Sequence, residues 1–427
     1  MSTRETAVSP STPPAPSTAG FLEDFAAMSV FGATPGGGID RQAATPDDCA
    51  VRSWFTEQVA RRGGRVQFDE IGNQFGLFER IPGAPFVLVG SHMDSQPLAG
   101  RFDGSYGVLA GLHAVSALVD EAHPPPSGDV NLAVVNWFNE EGSRFSPSMM
   151  GSSVYTGSLD LAEALASTDH AGVTVADALA EADWTPVVAP PEIAAYAEIH
   201  VEQGRILEDT GTTIGLVSAT WGARKFRVTV HGEQGHTGST LMSDRRDALF
   251  GASLVIAAVR RMTEELPAGS LQASVSQMVV EPNSPVTIAR EVTMNLDLRS
   301  PDSDVLQWAE TRVAEVIAAA EDEAHVRVER ELTHQWALNP YPAEGIALAG
   351  EVARDLGFSH REIYTVAGHD STNMKEKVPT VMLFVPSVEG ISHNEAELTR
   401  DDDMLAGVEV LTEVVRRLAE SVHSGGN

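Results

Sequence analysis

Four short aliphatic runs set the limits on how this chain can fold: PFVLVG (85–90), NLAVVNWF (131–138), AAYAEI (194–199) and PTVMLFV (379–385). Each is too short for a buried helix, rich in aliphatic residues, and bounded by Gly, Pro or polar residues. That is how strands covered on both faces read. Helical patterns separate them, among them GSYGVLAGLHAVSALVDEA (104–122) and DDDMLAGVEVLTEVVRRLAESV (401–422), where Asp401 and Asp402 suit the positive end of a helix dipole. The alternation predicts an α/β fold, a central mixed sheet with helices on both faces.

Residues 220–332 follow another rhythm. ARKFRVTVHG alternates as a strand, SDRRDALFGASLVIAAVRRMTEEL reads as one long helix, and LQASVSQMVVE and VTMNLDLRS alternate again. PDSDVLQWAETRVAEVIAAAEDE is a second helix with Pro301 and Asp302 at its start, and HVRVERELTH closes as a strand. The order βαββαβ is that of a ferredoxin-like split unit. It falls between the third and fourth apolar runs, so it reads as an inserted domain. The expected organisation is a tail (1–20), a larger domain built from 21–219 and 333–427, and the insert at 220–332.

A chain of 427 residues is long enough for two domains. Its 29 basic and 60 acidic residues leave a formal charge of −31, which argues against nucleic acid or an anionic membrane surface as partner. Cys49 is the only cysteine, which excludes an intrachain disulfide and a thiolate-rich zinc site. No apolar run approaches the ~18 residues of a membrane span. The Ser/Thr/Pro/Ala-rich first twenty residues lack an apolar signal core and read as a disordered tail, so a cytoplasmic protein is expected.

The chemistry lies just beyond the four runs. They lead into Ser91-His92-Met93-Asp94, Asn139-Glu140-Glu141-Gly142, His200-Val201-Glu202-Gln203-Gly204, and Ser392-His393-Asn394-Glu395. In open α/β sheets, ligands bind beyond the carboxyl ends of the strands. A single histidine there is as readily a surface residue as a ligand. Four strands delivering His, Glu-Glu, His and His to one edge predict a metal centre. Imidazoles and carboxylates without thiolate suit Zn²⁺, Mn²⁺, Co²⁺ or Ni²⁺. His92, Asp103, Glu141, His200 and His393 can supply five ligands, enough for two divalent ions that share one carboxylate. Asp94, two residues from His92, is expected to accept the other ring N–H. Glu140 is left as general base. The remaining histidines read differently: His113 as a satisfied core residue, and His123, His170, His360 and His423 as loop or tail residues. Met149 and Met150 read as packing.

The segments GSHMDS…GRFDGSYGV, NEEGSRF, HVEQG, GHTGST…DRRDAL, DLRS, AGHDS and FVPSVEGISHNE resemble, in order and over about residues 22–420, the hydantoinase/carbamoylase-type amidohydrolases. That group, with N-carbamoyl-L-amino acid amidohydrolase, β-ureidopropionase and allantoate amidohydrolase, is a branch of the dinuclear-metal aminoacylase and carboxypeptidase superfamily. The resemblance implies a catalytic domain with two metal ions per subunit and a lid that dimerises. It puts His92, Asp103, Glu141, His200 and His393 on the metal ligands, Asp103 bridging, and Glu140 on the general base. It also implies that His236 reaches a neighbouring subunit's site to stabilise the oxyanion, and that Arg299 grips a substrate carboxylate. Gln203 and Gly368 fall at substrate-contacting positions.

Three stretches depart from the family pattern. Val286-Thr287-Ile288-Ala289 stands where an Asn-Val-Ile-Pro-like stretch is usual, with Asn283 as the candidate substitute for the lost Asn. Thr365-Val366 replaces Ser-Gly before Ala-Gly-His-Asp, and Gln96-Pro97-Leu98-Ala99 replaces a Val-Pro-Asn-Gly type. The metal chemistry is kept while the specificity is altered. The expected activity is metal-dependent hydrolysis of a linear amide or ureido C–N bond in a small carboxylate-bearing molecule, an N-carbamoyl amino acid or ureido acid. An N-acyl amino acid hydrolase with the same machinery is the alternative. A catalytically inactive metabolite-binding relative is another, disfavoured because a binding protein has no use for a base at Glu140.

Overall fold

The computed structural model describes residues 17–120, 126–184 and 187–422. The chain divides into two compact units, one formed by residues up to Ser218 with Tyr341–Ile363 and Gly368 onward, the other by Ala219–Pro340 with Tyr364–Ala367.

In the first unit the four apolar runs are strands Phe86–His92, Asn131–Trp137, Ile193–Val201 and Thr380–Val385. They lie side by side in the order 131–137, 86–92, 193–201, 380–385, and every neighbouring pair is parallel. Strands 86–92, 131–137 and 380–385 are buried at every position, as expected for strands covered on both faces. Antiparallel strands flank this centre, Gln74–Phe78 and Arg65–Phe68 on one side and Ile214–Thr220 on the other, which makes the sheet mixed. Helices Ser105–Val119 and Asp401–Ser421 pack into the main core with Val87, Val89, Ile199, Leu383 and Val385. A Cβ on Gly111 of the first helix would stand 3.1 Å from Val89 Cγ1. Four parallel strands in adjacent positions must end at one edge, so the residues that follow them are brought together by topology alone.

The second unit is a four-stranded antiparallel sheet in the order 327–336, 222–231, 291–300, 272–281. Helices Ala248–Met262 and Ser303–Ala324 cover one face, with Phe226, Val228, Val230, Val292, Met294 and Leu296 in the core between. Strand 291–300 alternates between buried and more exposed residues, as a sheet covered on one side requires.

Some expected boundaries move. The helix read from Ser243 begins at Ala248, because Asp247 caps it by accepting the amides of Leu249 (3.0 Å) and Phe250 (3.2 Å). The last strand runs on to Trp336, two residues past the expected HVRVERELTH and beyond the expected domain boundary at 332, with a register shift between Leu332 and His334. The stretch read as a tail is not all tail: Ser17 and Thr18 are buried, and Gly20 precedes helix Phe21–Met28. Residues 1–16, and with them most of that expectation, lie outside the described residues, as do His123 and His423. His113 is buried, with Nε2 2.9 Å from Asp24 Oδ2. Among the described residues no helix is long and apolar enough to cross a membrane.

Candidate metal centre

His92 is the last residue of its strand and His200 the last but one of the neighbouring strand. His92 Nδ1 lies 3.0 Å from the backbone oxygen of Asp94, and His200 Nδ1 2.8 Å from that of Val201. Each carbonyl can only accept, so each Nδ1 donates, and in the neutral ring each Nε2 keeps its lone pair. His200 Nε2 accordingly accepts the Gly104 amide at 2.9 Å. Both Nε2 atoms face Asp103 Oδ1, at 3.4 Å from His92 and 2.9 Å from His200. The loop comes this close because residue 104 is glycine. It has φ +59°, and a Cβ there would stand 2.3 Å from His92 Cε1.

The other oxygen of Asp103 faces a second group. His393 Nε2 lies 3.4 Å from Asp103 Oδ2 and 3.5 Å from Glu141 Oε2. His92, Asp103 and His200 thus form one set of possible metal ligands, and Asp103, Glu141 and His393 another. Asp103 belongs to both. Glu140 borders the first set, with Oε2 3.4 Å from His92 Nε2. Gln203, at φ +57°, donates from Nε2 to Asp103 Oδ2 (2.7 Å) and to Ser392 Oγ (3.1 Å). Gly368 sits against Met149, whose Cε would be 3.0 Å from an added Cβ.

Asp94 departs from its expected role. Its carboxylate oxygen is 3.7 Å from His92 Nδ1, and its own backbone carbonyl is the ring's partner. The carboxylate instead accepts the amides of Glu140 and Glu141, each at 3.2 Å. Asp94 therefore holds the backbone of the two glutamates rather than the imidazole.

The electrostatics of the cluster call for positive charge. Burial pushes Glu140 well above the usual carboxylate range against the pull of His92, with Asp370 and Glu141 adding to the rise. Burial and then Asp103 push Glu141 up to about 7. Burial alone would lower His92, but Glu140, Asp103 and Asp94 outweigh it and hold the imidazolium well above its ordinary value. Burial likewise opposes Asp103, yet His200 first, with His393 and His92 close by, keeps it well below its ordinary value. Glu141 Oε1 is buried without a hydrogen-bond partner among the described residues. Lone pairs on two imidazoles, crowded carboxylates, a partnerless buried oxygen and no sulfur form a donor set that fits divalent cations.

His236, Arg299, Asn283 and Val286, singled out in the sequence, lie on the second unit. His236 is exposed on a two-residue strand paired with Thr287–Ile288. Its Nδ1 accepts the amides of Gly238 (3.0 Å) and Ser239 (3.2 Å), so its proton sits on Nε2. Arg299 lies within strand 291–300. It pairs with Asp297 through Nε and Nη2 (2.7 Å to Oδ2) and donates from Nη1 to the backbone oxygen of Val366 (2.8 Å). Asp302, three residues on, caps the next helix, as its place at the start of that helix predicts. Asn283 is exposed, and Val286 is 59% exposed.

Sequence reasoning passed over several residues that build the site. Gln96 donates from Nε2 to the carboxylate (3.0 Å) and carbonyl (3.1 Å) of Glu141. Glu198, fully buried, accepts Ser91 Oγ at 2.7 Å and the Ser371 amide at 2.8 Å. The ring of His369 lies 4.6 Å from that of His200. Glu397 touches the Asp103 loop. The available signal was that Gln96, Glu198 and His369 lie inside segments already singled out, and Glu397 just beyond one.

The sequence pattern of peptidase family M20/M25/M40 matches residues 88–417, a span that contains every residue of this cluster. The chain belongs to that family. Among its M20 relatives is a Mycolicibacterium smegmatis protein described no further than as a hydrolase, 53% identical over 409 residues (94% of this chain, 93% of that one). The allantoate amidohydrolase of Escherichia coli is 31% identical over 404 residues (92% and 96%). The N-carbamoyl-L-amino-acid amidohydrolase of Rhizobium meliloti is 33% identical over 402 residues (92% and 95%). Among solved structures, a hydantoinase/carbamoylase family amidase from Burkholderia vietnamiensis superimposes with a TM-score of 0.88 at 35% identity, covering 94% of this chain and 97% of that one. The M20 fold and the resemblance to the hydantoinase/carbamoylase amidohydrolases agree.

Proposed function

We propose that this M20 chain hydrolyses the linear C–N bond of an N-carbamoyl amino acid or ureido acid, with two divalent ions, Zn²⁺ or Mn²⁺, per subunit. The observation that carries this reading is Asp103, shared between two ligand sets, with Glu140 beside the first. His92, Asp103 and His200 would hold one ion, and Asp103, Glu141 and His393 the other. Bound there, such ions supply Lewis-acid charge that acidifies water and polarises a carbonyl.

The chain's own groups do the rest. Glu140 takes the proton of the attacking water and returns it to the leaving nitrogen. An N-carbamoyl substrate then yields the amino acid, ammonia and CO₂. His236, its proton on Nε2, is a donor for the oxygen that gains charge in the tetrahedral intermediate. Gln203 and Gly368 line the substrate position beside Asp103 and Met149. A single unpaired cysteine and no disulfide suit the cytoplasm. Turnover of a panel of carbamoyl, ureido and N-acyl acids by the metal-loaded protein tests the reading. Exclusive turnover of N-acyl acids would assign the aminoacylase alternative, and no turnover of any would assign the inactive one.

Arg299 is the proposed carboxylate anchor from the second unit. Its Nε–Nη2 edge is taken by Asp297 and one Nη1 proton by the Val366 carbonyl, so a substrate carboxylate would be met by the remaining Nη1 and Nη2 protons. Arg299→Lys keeps the charge and loses the fork, so KM rises more than kcat falls. Equal kcat/KM for each acid and its carboxamide analogue would mean that no carboxylate is read there.

The second unit is also the proposed dimerisation surface. Leu241, Met242, Leu249, Phe250 and Val279 are 44–76% exposed, and strand 272–281 is at the sheet edge. With His236 lent across that interface, a mixture of His236→Ala and Glu140→Gln protein regains activity, because a heterodimer holds one complete site. No recovery after full subunit exchange, or an active monomer, rules out the shared site.

A further inference from the structure

We propose that Glu397 is a positioning residue for the metal centre: it clamps the backbone that carries Asp103, and so sets the shared carboxylate against His393. The inference rests on the metal reading above and assigns Glu397 no ligand role. Its side chain is buried, and Oε2 accepts the amides of both Phe102 and Asp103 at 3.1 Å. Oε1 is buried with no hydrogen-bond partner among the described residues. The loop is packed directly on this carboxylate, since a Cβ on Gly100 would stand 2.0 Å from Oε2.

The placement of Glu397 in the chain gives the clamp its meaning. It lies four residues after His393, on the same loop. One end of that loop therefore supplies a ligand of the second set, and the other end fixes the backbone of the carboxylate common to both sets. Between them Glu395 takes a hydrogen bond from Thr34, and a Cβ on Gly38 would stand 2.9 Å from Glu395 Cα and 2.1 Å from Ala99 O. The loop is thus tied from outside as well. The device repeats that of Asp94, which holds the amides of Glu140 and Glu141. Two buried carboxylates outside both ligand sets each hold a pair of amides, one pair carrying Asp103 and the other Glu141. Displacing Glu397 should weaken the set containing Asp103 Oδ2, Glu141 and His393 more than the set containing His92 and His200.

The test uses the full-length metal-free chain and Mn²⁺. Binding is followed by calorimetry, coupling between the two ions by electron paramagnetic resonance, and loop exposure by amide hydrogen exchange. Wild type should bind two Mn²⁺ that couple magnetically. E397A should keep one ion near wild-type affinity, bind the second ~10–100-fold more weakly, and lose the coupling, as expected when an outer partner of a ligand is removed. The amides of 102 and 103 should exchange faster while the helix 105–119 does not change. E397Q should stay close to wild type, because its amide oxygen can still accept both N–H groups. Gly100→Ala, which drives the carboxylate off the amides without altering residue 397, should behave like E397A. If E397A does not fold, E397Q and Gly100→Ala decide. Two coupled ions of wild-type affinity in E397A or in Gly100→Ala overturn the clamp, as does an E397Q as weak as E397A, which would make charge the determinant. A wild-type chain that binds no Mn²⁺ overturns the metal reading itself, a result distinct from any of these.

Discussion

Glu140→Gln is expected to keep the fold and both ions while kcat falls ~10²–10⁴-fold, the usual cost of losing a general base. The substitution is isosteric, and the backbone at 140 is held through its amide by Asp94, so the new side chain stays in place. An amide there can still accept a hydrogen bond from the water, but it cannot carry a proton from water to the leaving nitrogen. Glu141→Gln should fail differently. Glu141 belongs to the second ligand set, so its loss appears first as weaker ion binding and only then as lost rate. Steady-state kinetics on samples of measured metal content separate the two variants. Near-normal kcat in fully loaded Glu140→Gln protein would remove Glu140 from the reaction.

Removal of metal is expected to have the largest effect, bringing activity to background, with recovery on adding Mn²⁺, Co²⁺ or Zn²⁺. Elemental analysis of the active protein should give about two ions per chain. Stability should follow. An ion at 100 times its dissociation constant stabilises the folded state by about 2.7 kcal/mol, so thermal melting of the stripped chain should shift downward. Active protein free of transition metal would refute the proposed chemistry.

The parts of this molecule that were legible in its sequence share a physical reason. Strands 86–92, 131–137, 193–201 and 380–385 are covered on both faces, so each is written as an uninterrupted aliphatic run. His92, Glu140, Glu141 and His200 stand out because they end or directly follow those runs, and His393 because it comes eight residues after the last of them. Strand 65–68, with Arg65 exposed and Val66 half-buried, carries too little apolar signal in four residues. Strand 360–365 has only Ile363 and Thr365 buried. Asp94 and Glu397 were harder still, because nothing in a sequence tells whether a carboxylate beside a ligand points at the ligand or at the backbone of the next loop. That depends on tertiary distances such as the 3.1 Å from Glu397 to two amides. The pairing of Arg299 with Asp297 has a local reason: residues 297 and 299 share a strand face by period two.

The position of strand 380–385 within the sheet has a bearing on how the chain comes to be folded during synthesis. That strand pairs in parallel with 193–201 and antiparallel with 214–220, so it lies in the middle of the sheet although it is made long after its neighbours. The second unit, nearly contiguous between 219 and 340, can assemble as it leaves the ribosome. The first unit waits with the edge of 193–201 uncovered until the strand, His393 and helix 401–421 arrive. During that interval the nascent chain presents an aliphatic strand edge to its surroundings, the kind of surface that pairs with other chains. Overexpression faster than chaperones can shield that edge should therefore lead to inclusion bodies, and slower translation or lower temperature should raise the soluble yield.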